Sequence, residues 1–65
     1  MREALIKARG TKTQVVVAKS VGISQKYLSK LELGDRTPSL KVAFNIASYY
    51  QSSVESLFPD IFLVK

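Results

Sequence analysis

The chain of 65 residues contains no cysteine, no histidine and no tryptophan, and only two prolines and three glycines. Without thiols or imidazoles there are no disulfides, no thiol nucleophile, none of the common zinc ligand sets and no histidine acid-base chemistry. Acidic residues are scarce as well. Glu3, Glu32, Asp35, Glu55 and Asp60 are dispersed along the chain without the spacing of a metal site or a paired acid and base, and no phosphate-cradling glycine loop is present. These absences argue against an enzyme and imply no metal, no cofactor and no small-molecule ligand. No apolar run approaches the ~20 residues of a membrane span, and the opening Met1-Arg2-Glu3-Ala4-Leu5-Ile6-Lys7 is too polar for a signal peptide. The expectation is a soluble cytoplasmic protein forming one domain over residues 1–65. A domain this short buries only ~60% of the surface its unfolded chain exposes, so a second subunit would help it.

What the chain does have is positive charge, +5 overall, unevenly placed. Residues 1–41 carry nine Lys or Arg against Glu3, Glu32 and Asp35, a surplus of six, whereas residues 42–65 carry one lysine against two carboxylates. A basic N-terminal part beside a nearly neutral C-terminal part suggests one face for a polyanion and another for folding or self-association. Local signals predict five short helices. The first covers residues 2–9, with Leu5 and Ile6 inward and Gly10 as its stop. The second is capped by Thr13 and reaches Val21; its Val15-Val16-Val17 run is β-branched, but the surrounding Ala18 and Gly22 override that weak strand preference. The third runs from Ser24 to Leu33 and stops at Gly34, and Asp35-Arg36-Thr37-Pro38 is turn chemistry. Ser39 starts the fourth, with Leu40, Ala43, Ile46, Ala47 and Tyr50 as one apolar stripe. Val54, Leu57 and Phe58 make a last short helix capped by Ser53.

Residues 14–33 have the spacing of two helices crossing closely at a tight turn. Ala18 is the small side chain at the crossing, Gly22 makes the turn, and Val17, Val21, Ile23, Leu28 and Leu31 fall on the inward faces. Ser24 is placed to cap the second of the two, whose outward face reads Gln25, Lys26, Ser29, Lys30. With Thr13-Gln14, Glu32, Gly34 and Arg36-Thr37-Pro38-Ser39-Leu40, this pattern resembles the Cro and lambda-repressor-like (Xre-type) helix-turn-helix domains. The likeness runs from about Leu5 to Phe58. It implies an all-α, five-helix DNA-binding domain of prokaryotic or phage origin that binds duplex DNA, with a short C-terminal tail that is a candidate β-strand. It departs from the family at Lys12, where an apolar residue is common, and at Val15 and Val16, where polar residues are usual. A one-residue shift of the loop after the first helix is the expected consequence.

The resemblance assigns base reading to Gln25, Lys26, Ser29 and Lys30. A glutamine amide pairs with adenine N6 and N7, and a lysine donates to guanine O6 and N7. Phosphate contacts are expected from Thr13, Gln14, Ser24, Tyr27 and Arg36, with Lys12 and Lys41 contributing charge; Tyr27 has the alternative of burying its ring. Glu32 is by resemblance an internal pairing residue, and Lys7 is its expected partner.

The tail, residues 59–65, places Ile61, Phe62, Leu63 and Val64 in a row. Four apolar residues there need cover, either from the chain's own first and fifth helices or from a second subunit. Small relatives often dimerise through this region, so Leu57, Phe58, Ile61, Phe62, Leu63 and Val64 are the expected dimer interface. The function that follows is a homodimeric regulator of transcription, a repressor in expectation, on a palindromic operator. The alternative is an adaptor or antitoxin-type protein that uses its apolar tail to bind another protein.

Overall fold

The computed structural model describes residues 1–62. Five helices form in chain order: α1 (Glu3–Arg9), α2 (Gln14–Val21), α3 (Gln25–Leu33), α4 (Leu40–Tyr50) and α5 (Val54–Leu57). Four of them begin as the sequence predicts. The side-chain oxygens of Thr13, Ser24, Ser39 and Ser53 each accept from the backbone N–H three residues on, at 3.2, 3.0, 3.2 and 3.1 Å. Each cap satisfies one otherwise unpaired amide and is worth about 1 kcal/mol. Three helices also end alike: Gly22, Gly34 and Gln51 take left-handed backbone at φ 81°, 88° and 55°. In each case the next amide bonds back to the carbonyl five residues before it, Ile23 to Ala18, Asp35 to Lys30 and Ser52 to Ala47. A Cβ built on Gly22 meets nothing within 4 Å. Glycine is required there by backbone conformation and not by crowding.

α2 packs on α3 and α4, and α1 and α4 both pack on α5, with α1 also touching α3. The main core gathers Leu5, Leu31, Ala43, Ile46, Ala47, Val54, Leu57 and Phe58. A second cluster of Val17, Ala18 and Leu28 fills the α2–α3 crossing, where buried Ala18 occupies the position read from the sequence. Tyr50 and Ile23 pack against both clusters. No helix is long and apolar enough to cross a membrane among the described residues.

The structure corrects several expectations. Arg2 is not in the first helix but precedes it, and it is buried. Leu40 leaves the α4 stripe: it is 58% exposed, and Pro38 is the buried residue at that end. Leu57 and Phe58, expected at a subunit interface, are buried in the chain's own core. The chain continues past them as turn and bend, without a strand at Ile61 or Phe62. The amides of Ile61 and Phe62 bond to Phe58 O at 3.0 and 2.9 Å, and the Phe62 ring meets the Phe58 ring edge-on at 6.3 Å between centroids. Both side chains lie half-buried against the main core. The physical reason is local: those two bonds turn the chain back onto its own domain as α5 ends. Leu63 and Val64 lie outside the described residues.

The Tyr50 hydroxyl is buried without a hydrogen-bond partner among the described residues. Burial pushes its ionisation up to about 12, with the Glu32 carboxylate adding to the shift and Arg9 opposing it. A folded-state value above the unfolded one means that the neutral phenol is the form the fold favours. That contribution is complete below pH 10 and is lost as pH rises toward about 12. Tyr50→Phe is therefore expected to be at least as stable as the parent near neutral pH, because an unpaired buried hydroxyl costs about 1 kcal/mol or more. It should also lose less stability than the parent on going from pH 10 upward. Thermal melts by circular dichroism at several alkaline pH values measure both.

Candidate nucleic-acid interface

A buried carboxylate organises the outward side of α2 and α3. Glu32 is 3% exposed, and a charge removed from water in this way needs partners. Arg9 supplies two, with Nε donating to Oε2 at 2.8 Å and Nη2 to Oε1 at 3.1 Å; its Nη1 donates to Lys12 O at 2.9 Å. The hydrogen bonds it donates to Glu32 hold the Arg9 guanidinium more firmly protonated than usual. Lys7, the partner expected from the sequence, is exposed. The reason is helical spacing. Leu5 is buried and Arg9 lies four residues on, over the same face, whereas Lys7 falls between them on the far side.

Gln14, at the start of α2, also donates to Glu32, Nε2 to Oε1 at 2.9 Å. A carboxylate only accepts here, so the Gln14 amide presents its nitrogen to Glu32 and its oxygen outward. That oxygen accepts from Gln25 Nε2 at 3.3 Å. A polar relay thus runs from Arg9 through Glu32 and Gln14 to the first residue of α3. It leaves the Gln25 oxygen and one of its amide hydrogens unused, an adjacent acceptor and donor.

The rest of the α3 face follows from the same geometry. Gln25 and Lys26 are exposed, and Ser29 and Lys30 are half-buried. Ser24, Lys26, Tyr27, Lys30 and Arg36 line one open groove of about 230 Å³, so three cations and a phenol converge beside the start of α3. Tyr27 packs part of its ring on the main core, the alternative the sequence left open. Thr13 and Ser24 are exposed at the starts of α2 and α3, their hydroxyls engaged as caps. Two of the expected cations stand apart from this groove. Lys12 sits over the Tyr49 ring, with Nζ 4.9 Å from its centroid and 3.3 Å from its hydroxyl; Lys41 is exposed in the first turn of α4. Sequence reasoning missed Arg9 and Arg2. The i, i+4 spacing from Leu5 was the available signal for Arg9; nothing local marks Arg2.

Comparison to known proteins bears on the family of the chain. A helix-turn-helix family profile matches residues 2–57. An uncharacterized HTH-type transcriptional regulator of Methanocaldococcus jannaschii is 39% identical over 46 residues, covering 71% of this chain and 70% of that protein. Another, from Archaeoglobus fulgidus, is 36% identical over 52 residues, covering 80% and 73%. No solved structure matches significantly. The chain belongs to the helix-turn-helix family of DNA-binding regulators, and its five helices are those of the Xre/Cro-like type.

Removing Arg9 leaves Glu32 buried with only the Gln14 amide beside it. Breaking one side of a buried pair costs about 3 to 5 kcal/mol, and the partial exposure of Arg9 reduces this to about 2 to 3 kcal/mol. Arg9→Met is expected to lose that much in urea unfolding, and the double substitution Arg9→Met with Glu32→Leu to regain most of it. Equal losses in the single and double variants would mean that Arg9 contributes packing and not charge pairing.

Proposed function

We propose that the protein is a sequence-specific duplex-DNA-binding regulator of transcription. It acts as a homodimer on a palindromic operator and represses by excluding polymerase. The observation that carries this reading is the exposed start of α3, where the relay from Glu32 presents Gln25 beside Lys26 and next to the groove that gathers Lys30 and Arg36. A helix that enters the major groove reads bases with the residues of its first turns. The Gln25 amide offers the donor and acceptor that match adenine N6 and N7. Lys26 and Lys30 offer donors to guanine, and Ser29 is short enough to meet a base edge or a thymine methyl. Thr13, Gln14, Ser24, Tyr27 and Arg36 then serve the sugar-phosphate backbone, and Lys12 and Lys41 add charge at longer range.

Two half-sites require two subunits. With Leu57 and Phe58 inside the core, the apolar surface open to a second subunit among the described residues includes the exposed part of Ile61 and Phe62, and Leu40 and Phe44 on α4, which are 58% and 55% exposed. Deleting residues 61–65 and, separately, replacing Leu40 and Phe44 by serine distinguishes these surfaces by sedimentation. The true dimer surface is the one whose removal yields monomer and lowers operator affinity more than affinity for mixed sequence.

Binding is expected to weaken steeply with salt, with a log–log slope of about −0.9 per phosphate engaged. Gln25→Ala and Lys26→Ala should each relax sequence preference by about 1 to 3 kcal/mol, the worth of one bidentate pair with a base, whereas Arg36→Ala should weaken operator and mixed-sequence DNA alike. Electrophoretic mobility shifts on operator and scrambled duplexes provide the contrast. A common factor for all three variants on every sequence rules out α3 as the reader.

A further inference from the structure

Arg2 ties together three parts of the chain that are far apart in sequence. It is 8% exposed, and its backbone N–H donates to Glu32 O at 2.8 Å. Its guanidinium then divides. Nη1 donates to Leu31 O in the last turn of α3 at 2.5 Å and to Arg36 O at 2.8 Å. Nε and Nη2 donate to the two carboxylate oxygens of Asp60 at 3.3 and 3.1 Å. The group stacks over the Phe58 ring at 5.6 Å from its centroid. The five donors of a guanidinium are fixed in one plane, so Asp60 on one edge sets the direction in which the other edge meets the two carbonyls. The backbone of Arg36 is held from inside while its side chain lines the groove beside α3.

We infer that Arg2 and Asp60 are positioning residues for DNA binding, fixing the turn that presents Arg36 although neither is placed on the DNA. The inference rests on the assignment of Arg36 to the phosphate backbone. Its physical content is a sign. Asp60 is acidic, so on charge alone its removal should strengthen binding to a polyanion. If it orients Arg36 through Arg2, its removal should weaken binding instead. The Asp60 side chain is itself 54% exposed, so its replacement opens no cavity in the core.

The test uses the full chain, a fluorescently labelled mixed-sequence duplex and a double-mutant cycle. Asp60→Ala is expected to weaken binding about 3-fold to 10-fold, and Arg2→Lys, which preserves net charge and removes the fork, by a similar factor. Both effects should shrink toward none in the Arg36→Ala background. Amide hydrogen exchange supplies a readout without DNA, with faster exchange expected at residues 34–37 in Asp60→Ala and in Arg2→Lys. Unchanged or tighter binding by Asp60→Ala overturns the inference, as does a weakening that persists in full without Arg36. If Arg36→Ala by itself leaves affinity unchanged, the phosphate role of Arg36 fails and the inference falls with it, an outcome distinct from failure of the tie alone.

Discussion

The buried carboxylate of Glu32 is the constraint on which the candidate DNA-binding side is built. Its burial is unfavourable in itself, and the chain compensates it with a guanidinium from α1 and an amide from α2, while the carboxylate belongs to α3. Three helices are thereby held in one polar cluster. Apolar packing between α2 and α3 tolerates some sliding, because dispersion and burial are non-directional. A carboxylate with three directed donors does not. The orientation of Gln14, and through it that of Gln25, is set by this demand and not by the surface on which those side chains lie.

Much of the fold was legible in the sequence because its signals are short-range. The caps at Thr13, Ser24, Ser39 and Ser53, the left-handed turns at Gly22 and Gly34, and the small Ala18 at the crossing each depend on a few neighbouring residues. What was not legible depends on pairs distant in the chain. The place of Arg2, between Glu32 O, Leu31 O, Arg36 O and Asp60, has no local signal. The exposure of Leu40 follows from where the core ends, which helical periodicity alone does not state. The left-handed conformation of Gln51 carries no composition signal, since glutamine rarely takes it.

The candidate site divides in the same way. The outward residues of α3 could be read from the sequence because exposure and residue type suffice to find them. The arrangement among them could not, since the Gln14–Gln25 hydrogen bond and the shared groove of Lys26, Lys30 and Arg36 arise from the angle between helices. The tail marks a further limit. Apolar residues in a row indicate a need for cover without saying what provides it. For Ile61 and Phe62 the cover is the domain's own core, by way of a turn closed on Phe58 O.

The bond between Arg2 and Asp60 joins residues 58 positions apart in a chain whose helices are all local. A ring that large carries a high closure entropy, and each helix can form without it. In folding, the tie is then a late event, made after the helices have docked and brought the two ends within reach. Opening it breaks no bond within a helix, so it need not await global denaturation. The turn bearing Arg36 hangs on that tie, since Arg2 Nη1 donates to Arg36 O. Loss of the tie would free the turn that carries Arg36 while the core beneath it stays packed.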